Sequence, residues 1–526
     1  MLKRGRKQIF TYENVITREN IIPILQKAML VFTQIASECD FLLRYEEGEQ
    51  PLQRKVEKKY RPDIDFQNVD NVANEITEFK LGFNWGNPIT LVQRGEKDSG
   101  GENEALAISL LNECYETDGN KSKTQQLARF IEICGIGYTF VDINIEYADG
   151  DSYFNVNVLD PRCAFIIQSS YYIDHRPMIG VTFRKDDIGN YHFTCFTKDD
   201  RFEILNMARF ENGKVVNESK RDWEDSDRWK EEQRSGEKNP LGMIPIIEWK
   251  RSHDRMGCFE RQIDEMNHLN LLWSDLLNDV DQTTQAVWHG NDVEFPVDEN
   301  GNEKHPSNGD WLLTFTSQDG KTPFIKPLTV EYNYSGMLGN YQYARSRILE
   351  KCHVPNRTDA SNSTGMATSQ AAGWEDAEND ACKEQSISDS CKMEEVRVVL
   401  KAIEVSQFVP QDSPLLKLKP CDVQPNFKRQ KTYEMVTKST TLGNLLSHGI
   451  DGLHAIKSVN LFEDPNQVYA DSKDLIDKYQ SSIFDKSDNK KDVEESGNAD
   501  GGMLAQITNS PYVDGKGNEE LTEPEE

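Results

Sequence analysis

The chain has no Cys-x-x-Cys pair anywhere, so the metal knuckles and redox motifs built on that spacing are excluded. Its ten cysteines are scattered, Cys382 and Cys391 being the closest two, and reduced, mostly buried thiols are expected. Histidine is equally sparse at nine residues; His448 and His454 straddle Gly449 and are expected on different elements, so no metal site is read. Long apolar runs are missing too. The longest near the N-terminus is Ala28 to Phe32, far short of a signal core or a membrane span. The basic start, Met1 to Lys7, has no apolar segment behind it, and the chain is expected to remain where it is made. Nucleotide motifs are incomplete. Gly320-Lys321-Thr322 is the tail of a phosphate loop whose first glycine is replaced by Phe315, and a hairpin turn explains it. Gly135-Ile136-Gly137 lacks a third glycine and leads into a strand rather than a helix.

Positive charge is the last scarcity. Sixty Lys and Arg stand against 89 Asp and Glu, a net charge of -29, with 37% hydrophobic and 28% charged residues. Affinity for DNA comes largely from cations displacing counterions on phosphates, so an ordinary nucleic-acid binder is not expected. At 526 residues the chain is too long for one core, and about three or four compact units are expected.

The elements alternate in kind along the chain. Ile21 to Arg44 reads as a helix, with Asn20 as its cap and Ile21, Leu25, Ala28, Val31, Phe32 and Ile35 on one face. Helices are also expected over about Val69 to Phe83, Glu102 to Cys114 and Lys121 to Cys134. From Gly137 the period becomes two: Val141, Ile143, Ile145 and Tyr147 alternate with polar residues, and Asp149-Gly150 turns the chain into Phe154, Val156 and Val158. Strands follow at Ala164 to Gln168, Ile179 to Arg184, Tyr191 to Phe196 and Arg201 to Met207. Asn217 to Lys238 is highly charged and reads as a surface excursion. The part up to about residue 255 is therefore α+β.

A long helix comes next, from Cys258 to His289. Met266, Leu269, Trp273, Leu276, Val280, Thr283 and Val287 recur at steps of three and four, the spacing of one seam. The remaining faces are mostly polar and acidic. Such a rod, roughly 45 Å long, needs neighbours along its seam, and copies of itself are one candidate. Short strands are expected at Val293 to Val297 and Trp311 to Thr316. Helix resumes from Leu328 to Cys352, and a loop rich in Ser, Thr, Asn and Gly occupies His353 to Ala367. A helix from Ser369 to Val405 follows. Pro410, Pro414, Pro420 and Pro425 mark a change of unit, before three helices over Lys428 to Ser447, Asp451 to Leu461, and Asp464 with Pro465 to about Phe484. Asp485 to Glu526 is acidic and Gly-rich, and disorder is expected there.

One ordered set of motifs carries a resemblance. It comprises Tyr45-x-x-Gly48-x-x-Pro51, Lys80-Leu81-Gly82-x-x-x-Gly86-Asn87-Pro88, Gly135-x-Gly137-Tyr138 and Leu159-Asp160-Pro161. Asn239-x-x-Gly242-x-Ile244-Pro245-Ile246-Ile247-Glu248 follows, then Gly257-x-Phe259-Glu260 entering a helix that bears Asn270, Ser274, Asp275, Asn278 and Asp279. Val354-Pro355, Ser363-Thr364-Gly365-Met366-Ala367 and Glu463-Asp464-Pro465 complete it. In this order the chain resembles the portal protein family of tailed double-stranded DNA bacteriophages, in the branch typical of long non-contractile-tailed phages.

The resemblance implies a multidomain, ring-forming α+β portal fold. Its parts would be a wing over residues 1–255, a first stem helix over 256–289 and a β-rich clip over 290–327. A second stem helix over 328–352, a tunnel loop over 353–368, a long wing helix over 369–409, a helical crown over 410–484 and the acidic tail over 485–526 would complete it. It implies a homododecameric ring at a unique capsid vertex of the virion, assembled in the host cytoplasm. Expected partners are sequence-independent double-stranded DNA, terminase, capsid and scaffolding proteins and a head-completion adaptor, with no membrane, no cofactor and no enzymatic activity of its own. Acidic walls suit a channel that must let DNA slide.

Asp275 and Asp279 share a helix face at i and i+4. Solvated like-charge neighbours, channel-lining acids and a metal pair all remain open for them. Arg345, Arg347 and Lys351 close the second stem helix, where cations suit a helix C-terminus and would also form a basic ring ahead of the loop. Arg357, Asn362, Ser363 and Thr364 are the loop candidates for transient contact with phosphate. Asp298, Glu299, Lys304 and Trp311 are the candidates for partner docking at the clip. The rival readings are a metal-dependent nuclease or hydrolase using scattered carboxylates, and another virion component such as a tail connector.

Overall fold

The computed structural model describes residues 5–51, 65–94, 101–173, 175–211, 214–215, 223–232, 234–284, 288–291, 324–327, 334–355, 373–427, 434–459, 461–462 and 468–479. They fall into two compact units, Met1–Lys431 and Thr432–Glu526, fewer than the chain length suggests. The reason is that late segments return to early ones, as the pairing below shows.

Strand β1 (Ile9–Thr11) precedes helix α1 (Ile21–Glu46). The helix buries Ile21, Leu25, Ala28, Phe32 and Ile35, and Cys39, Leu42 and Tyr45 continue the stripe. Each fully buried Ile or Leu in it contributes about 1.5–3 kcal/mol. Asn20 occupies the cap position without capping. Its Oδ1 accepts from the Thr17 N–H at 2.8 Å and its Nδ2 donates to the Val15 carbonyl at 2.9 Å, so its side chain closes the turn before the helix instead.

Helix α2 (Val72–Trp85) is capped by Asn71, whose side chain accepts from the Asn74 N–H. Strand β2 (Thr90–Gln93), α3 (Gly101–Thr117) and α4 (Asn120–Cys134) follow. Gly135 ends α4: at φ 76° it adopts the left-handed conformation, and its N–H returns to the Ile131 carbonyl at 2.9 Å. Strand β3 (Ile136–Ile143) therefore starts at once and pairs antiparallel with β4 (Phe154–Leu159), Val141 facing Val156. The alternation read as far as Tyr147 stops at Ile143. Asn144 Nδ2 donates to the Ser152 carbonyl at 2.9 Å, which closes the hairpin early and leaves Ile145 78% exposed.

Strands β5 (Ala164–Ser169), β6 (Pro177–Lys185), β7 (Tyr191–Phe196) and β8 (Asp200–Asn206) form an antiparallel run. A short hairpin, β9 (Phe210–Glu211) with β10 (Lys214–Val215), leads on to β11 (Trp229–Glu231), β12 (Glu237–Lys238) and β13 (Ile246–Lys250). The large sheet has the order β1-β5-β6-β7-β8-β11, with β12 also on β8 and β1 parallel to β5. A second sheet has the order β13-β3-β4.

The excursion expected over 217–238 is not one in its described part. Trp223 and Trp229 are buried, Trp229 stacks on Phe193 at 5.3 Å, and β11 and β12 both extend the sheet. Two indoles outweigh the surrounding charge.

Beyond Lys250 come α5 (Ile263–Thr284), β14 (Trp288–Asn291), β15 (Phe324–Pro327), α6 (Tyr334–Lys351), α7 (Trp374–Val405) and β16 (Val423–Asn426). The helix expected over 258–289 is thus about 33 Å long rather than 45 Å, with 22 residues. Glu260–Gln262 form a 3-10 turn ahead of it, and Trp288 and His289 pair as strand with Pro327 and Lys326. The stretches 293–297 and 311–316, and Gly320-Lys321-Thr322, lie outside the described residues.

Strand β16 pairs antiparallel with β2, Val423 facing Gln93 and Asn426 facing Thr90. The prolines from Pro410 to Pro425 therefore lie inside the first unit, and the boundary follows them. The second unit contains α8 (Glu434–Ser447), α9 (Gly452–Val459) and α10 (468–479), with Gly449 at φ 79° between the first two. Asp464, Pro465 and residues 485–526 are outside the described residues. All ten cysteines are free thiols, six of them buried.

Candidate functional site

Helices α5 and α6 form an antiparallel hairpin. Lys351 pairs with Glu265 at one end, and the rings of Trp273 and Tyr341 lie 4.9 Å apart farther along. The two helices are rooted in the core by Met266 and Leu269 on one and by Ile348, Leu349 and Cys352 on the other. Burial falls away from that root: Val280 is 43% exposed, Leu338 44% and Tyr343 67%. Strands β14 and β15 join just past the far ends. The seam read from sequence is therefore covered at its root and partly uncovered beyond it.

The polar side of α5 does unexpected work. Asn270, Ser274 and Asn278, one helical turn apart, are all buried and bind every second residue of the stretch 66–70. The Asn278 amide accepts from the Phe66 N–H at 2.7 Å and donates to the Phe66 carbonyl at 3.1 Å. Ser274 Oγ accepts from the Asn68 N–H at 3.1 Å, and Asn270 Oδ1 accepts from the Asp70 N–H at 2.9 Å. Four helical residues advance about 6 Å and two extended residues about 6.6 Å, so the two repeats stay in step. The reading of one apolar seam missed this ladder. Its signal was the recurrence of short amide and hydroxyl side chains at i, i+4 and i+8. Asn278→Ala is expected to lower unfolding stability by about 1–3 kcal/mol, because two backbone groups of Phe66 lose their partners. Hydrogen exchange at Phe66 and Asn68 should rise with it; unchanged exchange there would mean that the ladder holds nothing.

The ladder positions Asp70, which accepts from Tyr341 and, at 3.2 Å, from Arg345 Nε. Arg345 also pairs with Glu75. Burial and the adjacent Asp70 carboxylate push the Tyr341 phenol up.

A family model described as phage portal protein, SPP1 Gp6-like, matches residues 31–385, more than half of the chain and the part that holds this hairpin. The chain belongs to that family. It is a family of structural rather than catalytic proteins. Among solved structures, the chain is similar to one in the "Neck of empty GTA particle computed with C6 symmetry", covering 75% of this chain and 90% of that one, at 10% identity and a TM-score of 0.39. No curated protein matches the chain.

The residues singled out from sequence can now be placed on this portal-family chain. Asp275 is exposed and Asp279 half-buried on α5. Among the described residues no group of His, Cys, Asp and Glu is arranged to hold a metal, and no helix is long and apolar enough to cross a membrane. Arg345 and Lys351 spend their charge inside the chain, on Asp70 and Glu75 and on Glu265. Exposed Arg347 has no carboxylate partner among the described residues. Arg357, Asn362, Ser363 and Thr364, and Asp298, Glu299, Lys304 and Trp311, lie outside the described residues.

What the sequence reading did not assemble is the ionic cluster behind the root of the hairpin. Lys80 of α2 meets Asp380 of α7 at 2.6 Å. Arg251, just after β13, meets Glu132 of α4 at 3.0 Å, Asp380 at 3.0 Å, and Glu384. Asn84 donates to Glu384 at 2.6 Å and the Trp85 indole N–H to Glu132 at 3.1 Å. Gly257 lets the chain pass beside α4 into α5: a Cβ there would lie 2.1 Å from the Ile133 carbonyl oxygen. The neighbouring thiols are kept neutral, burial pushing Cys352 up to about 12 and Cys258 higher still.

Proposed function

We propose that this chain is the portal of a tailed phage, a ring at one capsid vertex through which double-stranded DNA is packaged and later released. One observation carries the reading: a two-helix hairpin is rooted in the core and projects from it with Val280, Leu338 and Tyr343 uncovered along its length. A projecting rod with an uncovered apolar flank is satisfied by the same rod on a neighbouring copy, and repeating that contact head to tail about an axis closes a ring. Twelve copies would make the homododecamer. The parts implied by the family would then be filled by the first unit up to β13 as wing, α5 and α6 as stem, the chain between them as clip, residues 353–368 as tunnel loop, α7 as the long wing helix and the second unit as crown.

In this arrangement the acidic face carrying Asp275 and Asp279 turns to the bore, where repulsion of phosphates keeps the duplex free to slide. Arg347 and the loop residues Arg357, Asn362, Ser363 and Thr364 supply brief contacts as DNA passes. Terminase, and afterwards the head-completion adaptor, dock at the clip around Asp298, Glu299, Lys304 and Trp311. Capsid and scaffolding proteins surround the wing, and assembly takes place in the host cytoplasm.

Deleting residues 356–364 should leave the ring mass unchanged while DNA packaged per particle, measured by nuclease protection, falls at least tenfold. Normal packaging and retention by the deletion variant would remove the loop from the mechanism.

A further inference from the structure

The charges around Arg251 do not balance. Three carboxylates, Glu132, Asp380 and Glu384, form ion pairs with only two permanent cations, Lys80 and Arg251. Glu132 and Lys80 are fully buried, Glu384 is 6% exposed, and the side chains of Arg251 and Asp380 are no more than 16% exposed. An uncompensated carboxylate in such a place is costly, and the least expensive remedy is one bound proton.

The position matters as much as the count. Asp380 and Glu384 sit one turn apart near the start of α7, and what they grip comes from two other places: Lys80 and Asn84 on α2, and Arg251 after β13, which in turn holds Glu132 on α4. His353 faces Asp380 from the end of α6, and Cys352 faces Lys80, Arg251, Asp380 and Glu265. Cys258 faces Glu132 and Arg251 and shares a contact with Thr77. A cleft of about 820 Å³, with Arg251, Cys258, Cys352, His353, Asp380 and Glu384 in its walls, connects the cluster to solvent.

We propose that this cluster is a proton-operated latch, in which one resident proton clamps the first turns of α7 to α2, α4 and the end of α6, and a falling proton supply loosens that clamp. The proton resides on Glu384. Burial, opposed by Arg251 and reinforced by Glu132, pushes that carboxyl up to about 8. Burial also works against ionised Asp380, but Lys80 and Arg251 outweigh it and hold that carboxyl below its usual range. The clamped state thus keeps its proton where an opened Glu384, back at an ordinary carboxylate value, releases it. The clamp is strongest at acid pH, weakens as pH rises, and levels off above about pH 8.

Hydrogen exchange of the full chain, corrected for the intrinsic pH dependence of exchange, tests this. Opening of peptides covering residues 377–388 should increase by up to about tenfold per pH unit between about pH 5.5 and 8, then flatten. Glu384→Gln should make the opening independent of pH. Glu132→Gln, which also balances the count, should flatten it likewise and serves if the first variant fails to fold. Infrared difference spectra should show a protonated carboxyl band near pH 7 that disappears by about pH 9 and is missing from Glu384→Gln. A pH-independent wild type, an unchanged pH response in the variants, or a carboxyl band that survives in Glu384→Gln would each overturn the latch.

Discussion

Arg251→Met is expected to lower the unfolding stability of the first unit by about 3–5 kcal/mol, the usual cost of removing one partner from a buried ionic group. Arg251 is the side chain that three carboxylates share, so Met leaves Glu132, Asp380 and Glu384 facing Lys80 alone. The size of the loss should depend on pH, with a definite sign. Burial already raises the Glu384 carboxyl, and removing the guanidinium that opposes that rise raises it further. A carboxyl whose folded pKa exceeds its unfolded one stabilises the fold at low pH and loses that contribution as pH rises. The deficit of Arg251→Met should therefore be larger near pH 9 than near pH 7, because above about pH 8 wild-type Glu384 has released its proton while the variant's carboxyl still has one to lose. Thermal unfolding at the two pH values checks it. A deficit equal at both, or below about 1 kcal/mol, would show that the cluster is not held together by this arginine.

The second large effect concerns assembly and leaves folding alone. Leu338 and Tyr343 are exposed on α6 of the isolated chain, so Leu338→Lys with Tyr343→Lys should leave the melting temperature within a degree or two of wild type. On a neighbouring copy each of the two would bury surface worth about 1.5–3 kcal/mol, so the pair removes roughly 3–6 kcal/mol per subunit contact. That is more than a hundredfold in association per contact, and it is repeated around the ring. The expected result is a folded monomer by sedimentation. Intact rings from the double variant would mean that α6 faces something other than a neighbouring subunit.

Local patterns told most of the fold. The stripe on α1, the Asp149-Gly150 turn, strands β5 to β8 and the long α7 each carry their own period, and each stands within a few residues of where that period put it. The misreadings share a cause, a partner distant in sequence. The apolar period read from Cys258 runs through Val287 with neither Gly nor Pro to stop it, yet Trp288–Asn291 pairs as strand with Phe324–Pro327. Asn20 fits the composition of a cap, yet Val15 and Thr17 compete for its side chain and win. The charged stretch around Trp223 and Trp229 hides two core residues, because charge dominates the composition while the indoles dominate the energy.

The candidate site divides in the same way. The rods and their apolar seam were legible, because a helix writes its faces into one continuous stretch. The Asn270, Ser274 and Asn278 ladder was visible as residues but not as a function, since its partners lie some 200 positions earlier. The ionic cluster was illegible. Lys80, Glu132, Arg251, Asp380 and Glu384 come from four separate elements, and only folding counts their charges together.

The most direct test of the central claim is the mass and projected image of the purified full-length chain, obtained by mass photometry and particle imaging of one preparation. The account predicts closed rings of about twelve subunits with a bore that admits a DNA duplex, lined by α5 and α6. A monomer, or a closed oligomer with no opening on its axis, would contradict it.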